Sequence, residues 1–558
     1  MRALAAPTRL GRALGRRTRV PIIATRHHDN HAQMAYLTSP FQDGGDVVVT
    51  VVDGYGDGGA ISVYVAAPGR LNRLYTNASM LDSLGLLYAM LSSTQGGWTP
   101  LSSEGRYMGA AAWGNGDRLT NPYYRRLRQL VYFGRGVHVA LNRALTSMHL
   151  YGERAPYNAA LRDILGDPVP PERMWNPDAV LRVDDIGHSP ITQDRVDKAA
   201  AVQLLLEDGI THIVQDAIAR TGCHRLVMAG GTALNCLATM RLLERFDESL
   251  VERCAGVARR LEVWVPPTPS DQGVTIGAAY NFAARLGVTR GEPFTHAFLC
   301  GQPPTHREIA DALDAANDIS FLDVSTIGRD DLADLVAFLL SRDGIVGVYQ
   351  GRAETGPRAL GHRSILANPC NPRTLERINS LVKYREMIRP LAPMATRAAA
   401  ERFFMLAPGA AADDYNAYNY MVLTALARPE ARAVIPAVVH RDGTSRVQIV
   451  RPETDPFSHA LLVAMGRRCG VEVAVNTSLN VGSPIVQTPT QALEVLRRAK
   501  GLTALALLGA DGGAFLAWHA LVQPPKDGGR ELRAAVAEWQ GARSSMGVRR
   551  EHVDAHVC

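Results

Sequence analysis

Cysteine is scarce and shows no pairing pattern: the 558-residue chain has seven, an odd number, with no Cys-x-x-Cys spacing. That excludes a disulfide framework and a structural zinc ribbon and points to a reducing cytoplasm. An excess of one charge sign is also lacking. Lys+Arg 60 against Asp+Glu 54 leaves a formal +6, slight for a nucleic-acid binder unless it is concentrated. No aromatic-interleaved basic stripe is present. Nor is there a membrane span, since the most apolar stretch, 501–522, carries Asp511 and four glycines and reads as a buried strand with a turn. Positive charge gathers only at the N-terminus, where Arg2, Arg9, Arg12, Arg16, Arg17, Arg19 and Arg26 stand with no acid among them. The composition is that of an organellar presequence, but the apolar segment of a secretory signal is missing. Arginine is abundant throughout, so a cytoplasmic protein is expected.

What is present is ordinary globular composition, 46% hydrophobic and 20% charged, which excludes collagen, coiled coil and wholesale disorder. At roughly 150 residues per domain, the length suggests two to four modules. The β-branched run 46–52 ends at Asp53-Gly54 and extended character resumes over 59–65, which predicts a hairpin with the acid at its tip. A strand over 225–229 runs into Gly230-Gly231-Thr232-Ala233-Leu234-Asn235 and a helix over 236–246. A third strand over 261–265 leads to Ser270-Asp271-Gln272-Gly273 and a helix over 274–285. The pattern loosens around 286–305 into a linker. A helix over 330–341 and a strand over 345–349 open a second α/β unit, and 523–558 reads as a loosely held polar tail. No internal repeat with a period of about 20–50 residues is present.

Two constellations carry chemistry. His27 and His31, four apart, share one face if helical, with Cβ atoms about 5–6 Å apart. Such a pair can bind a divalent cation once carboxylates complete the shell. Asp53 and Asp271 are the candidates, although acids at turns also serve as caps. The Gly230-Gly231 turn and Asn235 could admit a phosphate to free N–H groups, or form a tight structural turn.

In the later half, Arg352, Arg358 and Arg363 lie among the glycines of Gly351 to Ser364, where planar guanidinium forks on a fixed backbone suit phosphate capture. Lys383 to Pro393, His440 to Gln448 and Asn476 to Asn480 continue the basic, hydroxyl-rich theme. Together they would suit a triphosphate beside a second phosphorylated substrate.

With Tyr36, Ser39-Pro40-Phe41, Ser83 to Tyr88 and Glu104 to Gly109, these motifs occur in the order seen in O-carbamoyltransferases of the nodulation and antibiotic-tailoring type. The chain resembles that family from about His27 to Val522. The resemblance implies an α/β protein whose first half is actin/Hsp70/sugar-kinase-like (Kae1-like), similar to the tRNA threonylcarbamoyl transferase, and whose second half is YrdC-like. The domains expected are 1–290 for carbamoyl transfer, a linker over 291–302, 303–524 for carbamoyl-adenylate formation, and the tail 525–558. By the same resemblance His27, His31, Asp53 and Asp271 hold a metal, with iron expected and zinc or manganese compatible. Gly230, Gly231 and Asn235 lie near a nucleotide. Arg358, Lys383, Arg446 and Ser478 hold carbamoyl phosphate and the ATP phosphates and act catalytically, with Arg352, Arg363 and Asn476 in support and Mg2+ accompanying ATP.

Family members normally carry a further strand, turn and hairpin well before the His-x-x-x-His helix. Only 26 residues precede His27, so a misplaced start is expected ahead of a degraded first domain. The expected partner is a small-molecule hydroxyl acceptor such as a sugar or polyketide secondary metabolite, with no nucleic acid and no membrane, and with a homodimer left open. Two alternatives stand beside this reading: a carbamoyl-type tRNA modification enzyme, and a non-catalytic nucleotide-binding partner.

Overall fold

The computed structural model describes residues 23–98, 103–147, 156–170, 190–410, 416–519 and 528–545. The arginines from Arg2 to Arg19 lie outside them. Helix α1 (His27–Leu37) precedes β1 (Val47–Gly56), β2 (Gly59–Ala67) and β3 (Arg70–Asn77). The run Val47 to Val52 is wholly buried, as its unbroken β-branched character requires of a central strand. Helices α2 (Leu84–Gly96), α3 (Glu104–Ala111) and the long α4 (Pro190–Thr221) follow, then β4 (Arg225–Ala229), α5 (Cys236–Arg245), β5 (Glu262–Trp264) and α6 (Val274–Arg285). The sheet order is β3-β2-β1-β4-β5, with β1 antiparallel to β2 and parallel to β4.

Asp53 is not at the hairpin tip. The β1/β2 register runs regularly to Val52↔Ile61 and then jumps to Gly56↔Gly59. Asp53, Gly54 and Tyr55 thus form a bulge that turns the Asp53 carboxyl out of the ladder. Helix α1 lies close against α6 because Gly277 has no side chain; a Cβ there would sit 2.0 Å from the Asn30 carbonyl oxygen.

The second half is built on an eight-stranded mixed sheet. Its strands are β6 (Ile319–Asp323), β7 (Val346–Tyr349), β8 (Arg363–Ala367), β9 (Ala392–Ala395), β10 (Gln448–Ile449), β11 (Val473–Ser478), β12 (Ala504–Leu508) and β13 (Ala514–His519). They run β10-β9-β11-β8-β7-β12-β13-β6 across the sheet. The apolar stretch from Gly501 thus forms the β12/β13 hairpin at least to His519. Helices α7 (Arg329–Ser341) and α8 (Pro456–Cys469) share an apolar cluster with these strands through Leu335, Leu461 and Met465.

The region read as a polar tail contains α9 (Gly528–Ser545). Its Leu532, Val536 and Trp539 are buried, and Trp539 Nε1 donates to Asp334 Oδ2 at 2.8 Å. Spacing of four and three residues places these side chains on one helical face, which the surrounding polar residues obscure. The linker is also strapped down: Cys300 and Ala353 exchange backbone hydrogen bonds of 3.1 and 2.9 Å, and Thr355 N–H donates to Ala297 O at 2.6 Å. Among the described residues no helix is long and apolar enough to cross a membrane.

Candidate functional site

The bulge, α1 and the turn before α6 converge. Asp53 Oδ1 accepts from the backbone N–H groups of Gly54 and Gly231, each at 2.9 Å, which leaves Oδ2 facing the histidines. Oδ2 lies 3.1 Å from His27 Nε2 and 3.3 Å from His31 Nε2. Asp271 Oδ1 is 3.2 and 3.4 Å from the same two nitrogens, which are themselves 3.1 Å apart. The four donor atoms lie within 4.8 Å of one another. Spacings of this size suit a cation with bonds of about 2.0–2.2 Å, and two imidazoles with two carboxylates fit iron, zinc or manganese alike. Burial alone would push Asp53 up. Hydrogen bonds from His27 and His31, with Gly231 N–H behind them, instead hold it far below the usual carboxylate range. For His31, burial is outweighed by Asp271 and Asp53, and its pKa is raised.

The glycine turn serves this centre, contrary to the expected nucleotide cradle. Gly231 N–H is committed to Asp53 and Gly230 N–H to Pro269 O at 2.7 Å. Gly230 has φ +88, and a Cβ there would meet Val52 O at 2.4 Å. Asn235 caps α5 by accepting from Ala238 N–H at 3.0 Å. Its amide group also donates to Gln203 Oε1 at 2.8 Å and accepts from Gln203 Nε2 at 3.0 Å, so the side chain is held within the protein.

A second cluster lies where the halves meet. Lys383 Nζ donates to Ser478 O at 2.7 Å, Asn480 O at 2.8 Å and Asn480 Oδ1 at 2.6 Å, with Ser478 Oγ at 3.3 Å. Tyr384, in the left-handed region at φ 47, turns the chain between Lys383 and Arg385. Arg385 Nε bonds Asn379 Oδ1 at 2.7 Å, and Arg389 Nε lies 2.9 Å from Glu386 Oε2. Burial, with Arg446 beside it, pulls Arg358 down to about 9. Burial, with Arg389, Arg446 and Arg106 around it, does the same for Arg385. Burial, then Arg385 and Arg389, lowers Lys383 well below its ordinary value. Buried Nε atoms of Arg358 and Arg446 meet no acceptor among the described residues.

Arg106, Arg385 and Arg389 are thus gathered about the buried carboxylate of Glu386, with Lys383, Arg446 and Arg358 linked to them in turn, a surplus of positive charge that would suit an anion. Of the residues expected from sequence, Lys383 Nζ lies 3.3 Å from Ser478 Oγ, and Arg358 neighbours Arg446. Sequence reasoning passed over Arg106, Arg385, Glu386 and Arg389, although the dense charge of Lys383 to Arg389 was a usable signal.

Three further residues expected to bind cofactor make contacts within the protein, although buried Asn476 Oδ1 and Arg363 Nε meet no partner among the described residues. Arg363 is a strut: its guanidinium donates to the carbonyls of Gln350, of Gly351 at 3.1 Å and of His362 at 3.1 Å, and it stacks 3.8 Å from the Tyr349 ring centre. Asn476 spends its NH2 group on Ala359 O at 3.0 Å and Gln448 Oε1 at 2.8 Å. Arg352 is exposed and reaches Gln302 Oε1 at 3.4 Å.

Residues 4–280 match the family model described as carbamoyltransferase N-terminus, and residues 337–509 match the carbamoyltransferase C-terminus. The uncharacterized protein sll1178 of Synechocystis sp. is 28% identical over 506 residues, 86% of this chain and 74% of that protein. Nodulation protein NolO of Bradyrhizobium diazoefficiens is 29% identical over 477 residues, 84% of this chain and 75% of that one. Nodulation protein U of Rhizobium tropici is 33% identical over 263 residues, covering 47% of this chain and 39% of its own. With both halves matched in order, the chain belongs to the carbamoyltransferase family.

Proposed function

We propose that this carbamoyltransferase joins carbamoyl phosphate and ATP in its second half to give carbamoyl-adenylate, and passes the carbamoyl group to a small-molecule hydroxyl in its first half. The observation that carries this reading is the basic cluster, whose cations outnumber its one buried carboxylate. Two polyanionic substrates repel each other, and fixed cations offset that repulsion while stabilising charge that develops on phosphate oxygens. The balance requires one water: carbamoyl phosphate loses its phosphate to water, and the carbamate oxygen then attacks the α-phosphorus of ATP, expelling pyrophosphate. Arg358 and Arg446 grip phosphate oxygens, Lys383, held at rest by Ser478 and Asn480, exchanges one of these contacts for phosphate when substrate binds, and Mg2+ accompanies ATP.

In the first half, His27, His31, Asp53 and Asp271 would hold a metal, iron by resemblance, that supplies Lewis acidity toward a carbonyl oxygen. Close packing of the two halves keeps the reactive anhydride from water. The order β3-β2-β1-β4-β5 supports reading the first half as actin-like. The acceptor is a hydroxyl of a secondary metabolite, and neither nucleic acid nor membrane enters the cycle. The test is carbamoyl-phosphate-dependent pyrophosphate release from ATP: Arg358→Ala should abolish it, and unchanged release would remove the clamp from the mechanism.

A further inference from the structure

Glu386 is 4% exposed and stands among cations drawn from both halves. Trp98, at the end of α2, donates its indole N–H to Glu386 Oε1 at 3.0 Å across 288 residues of sequence. Arg106, on α3, places a guanidinium nitrogen 3.5 Å from the same oxygen, with its guanidinium carbon 6.0 Å from the centre of the Trp98 ring. Glu386 Oε2 lies 2.9 Å from Arg389 Nε. One carboxylate therefore binds two groups of the first half and one arginine of the second.

We propose that Glu386 is a positioning residue that fixes Arg106 and Trp98 of the first half against the anion pocket of the second, so that the grip on carbamoyl phosphate is built by both halves. This rests on reading that pocket as the carbamoyl-phosphate site. The simpler role for a buried acid among arginines is neutralisation. A lone counter-ion to Arg389 needs only the i,i+3 contact already present, and would not explain why an indole and a guanidinium from the helical region of the first half are brought to the same oxygen. The surrounding charge is also far from neutralised. The backbone supports the arrangement: Asn379, fully buried, donates to Arg389 O at 3.0 Å and accepts from Arg385 Nε at 2.7 Å, which locks the loop that presents Glu386.

The two roles give opposite signs in Glu386→Gln. The amide oxygen can still accept from Trp98, so the fold is retained while the charge is lost. If Glu386 only neutralises, the pocket gains positive charge and carbamoyl phosphate binds more tightly. If it positions, Arg106 and Arg389 lose their shared anchor and binding weakens.

The experiment uses the full chain and measures both the carbamoyl-phosphate KM of pyrophosphate release and its Kd by calorimetry, in wild type, Glu386→Gln, Arg106→Ala and the double variant. We expect KM and Kd to rise about tenfold in each single variant, with the ATP KM within about twofold, and the double variant no worse than either single one, because both remove one interaction. Arg106→Lys keeps the charge without the fork and is expected to fall between wild type and Arg106→Ala; it also keeps the test alive if Glu386→Gln does not fold. Unchanged or tighter binding in Glu386→Gln or Arg106→Ala, with wild-type release intact, overturns the proposal alone. A wild-type protein that neither binds carbamoyl phosphate nor releases pyrophosphate with it overturns the underlying reading, and the proposal falls with it.

Discussion

The backbone oxygen of Pro267 lies 2.1 Å from where a Cβ on Gly356 would stand. Pro267 opens the turn that carries Asp271, and Gly356 opens the loop that carries Arg358. The loop that carries Asp271 and the loop that carries Arg358 therefore meet at backbone distance.

Gly356→Ala should force these loops apart. Overpacking of this kind costs about 1–3 kcal/mol, so the melting temperature should fall by several degrees. Carbamoyl transfer to the acceptor should drop more than pyrophosphate release, since the first depends on the alignment of both loops. Paired assays of the two half-reactions check this, and equal losses would show that the seam has no role beyond stability.

The cluster at Asp53 should bind metal through the residues that surround it. Purified protein loaded with iron, zinc or manganese should hold one ion per chain by elemental analysis, and His31→Ala should lose it. Because His31 is fully buried, the deletion leaves a polar cavity with no compensating ligand. Acceptor carbamoylation should vanish in this variant while carbamoyl-phosphate-dependent pyrophosphate release continues. Retention of the ion after His31→Ala would refute the ligand set.

Lys383 gives the pH dependence a sign. Burial, then Arg385 and Arg389, lowers its pKa in the native state, so its ammonium is intact on the acid side and is lost as pH rises through that lowered value. Affinity for carbamoyl phosphate should fall in the same direction. Stability should move the opposite way: between the lowered value and about 10.4, the unfolded chain binds the extra proton, and the native state gains stability as pH rises. Lys383→Arg should flatten the alkaline limb of a plot of 1/KM against pH. An alkaline limb identical to that of wild type would assign the titration to another group.

Asn235→Ala tests the corrected glycine turn. Loss of an N-cap costs about 1 kcal/mol, and loss of the paired hydrogen bonds to Gln203, which keeps Tyr88 and Glu207 as partners, adds about 0.5–1.5 kcal/mol. A lower melting temperature with an unchanged ATP KM is expected. A large rise in that KM would restore Asn235 to nucleotide contact.

The convergence of His27, His31, Asp53 and Asp271 was legible because its signal is local. A four-residue histidine spacing means one helical face whatever surrounds it, and acids at strand-to-helix turns are presented at strand ends. The Gly230-Gly231-Asn235 turn stayed open between a phosphate cradle and a structural turn because sequence gives the geometry of N–H groups without their partners, which here include Asp53, Pro269 and Gln203. Arg363 misled for a similar reason, since a guanidinium in a glycine-rich loop serves carbonyl oxygens as readily as phosphate. Arg106 and Glu386 escaped notice because their meaning depends on a contact between the two halves of the chain, which no local pattern encodes. The order of strands in both sheets was likewise beyond reach, although the helices and strands that the sequence did mark lie within a few residues of their places.

The central claim is that the buried cations of the second half assemble an activated carbamoyl group. Its most direct test is mass spectrometry of the full chain incubated with isotopically labelled carbamoyl phosphate, ATP and Mg2+ and with no acceptor present. The account predicts labelled carbamoyl-adenylate in wild type and none in Arg358→Ala. Pyrophosphate or phosphate release from wild type without any labelled adenylate would contradict it.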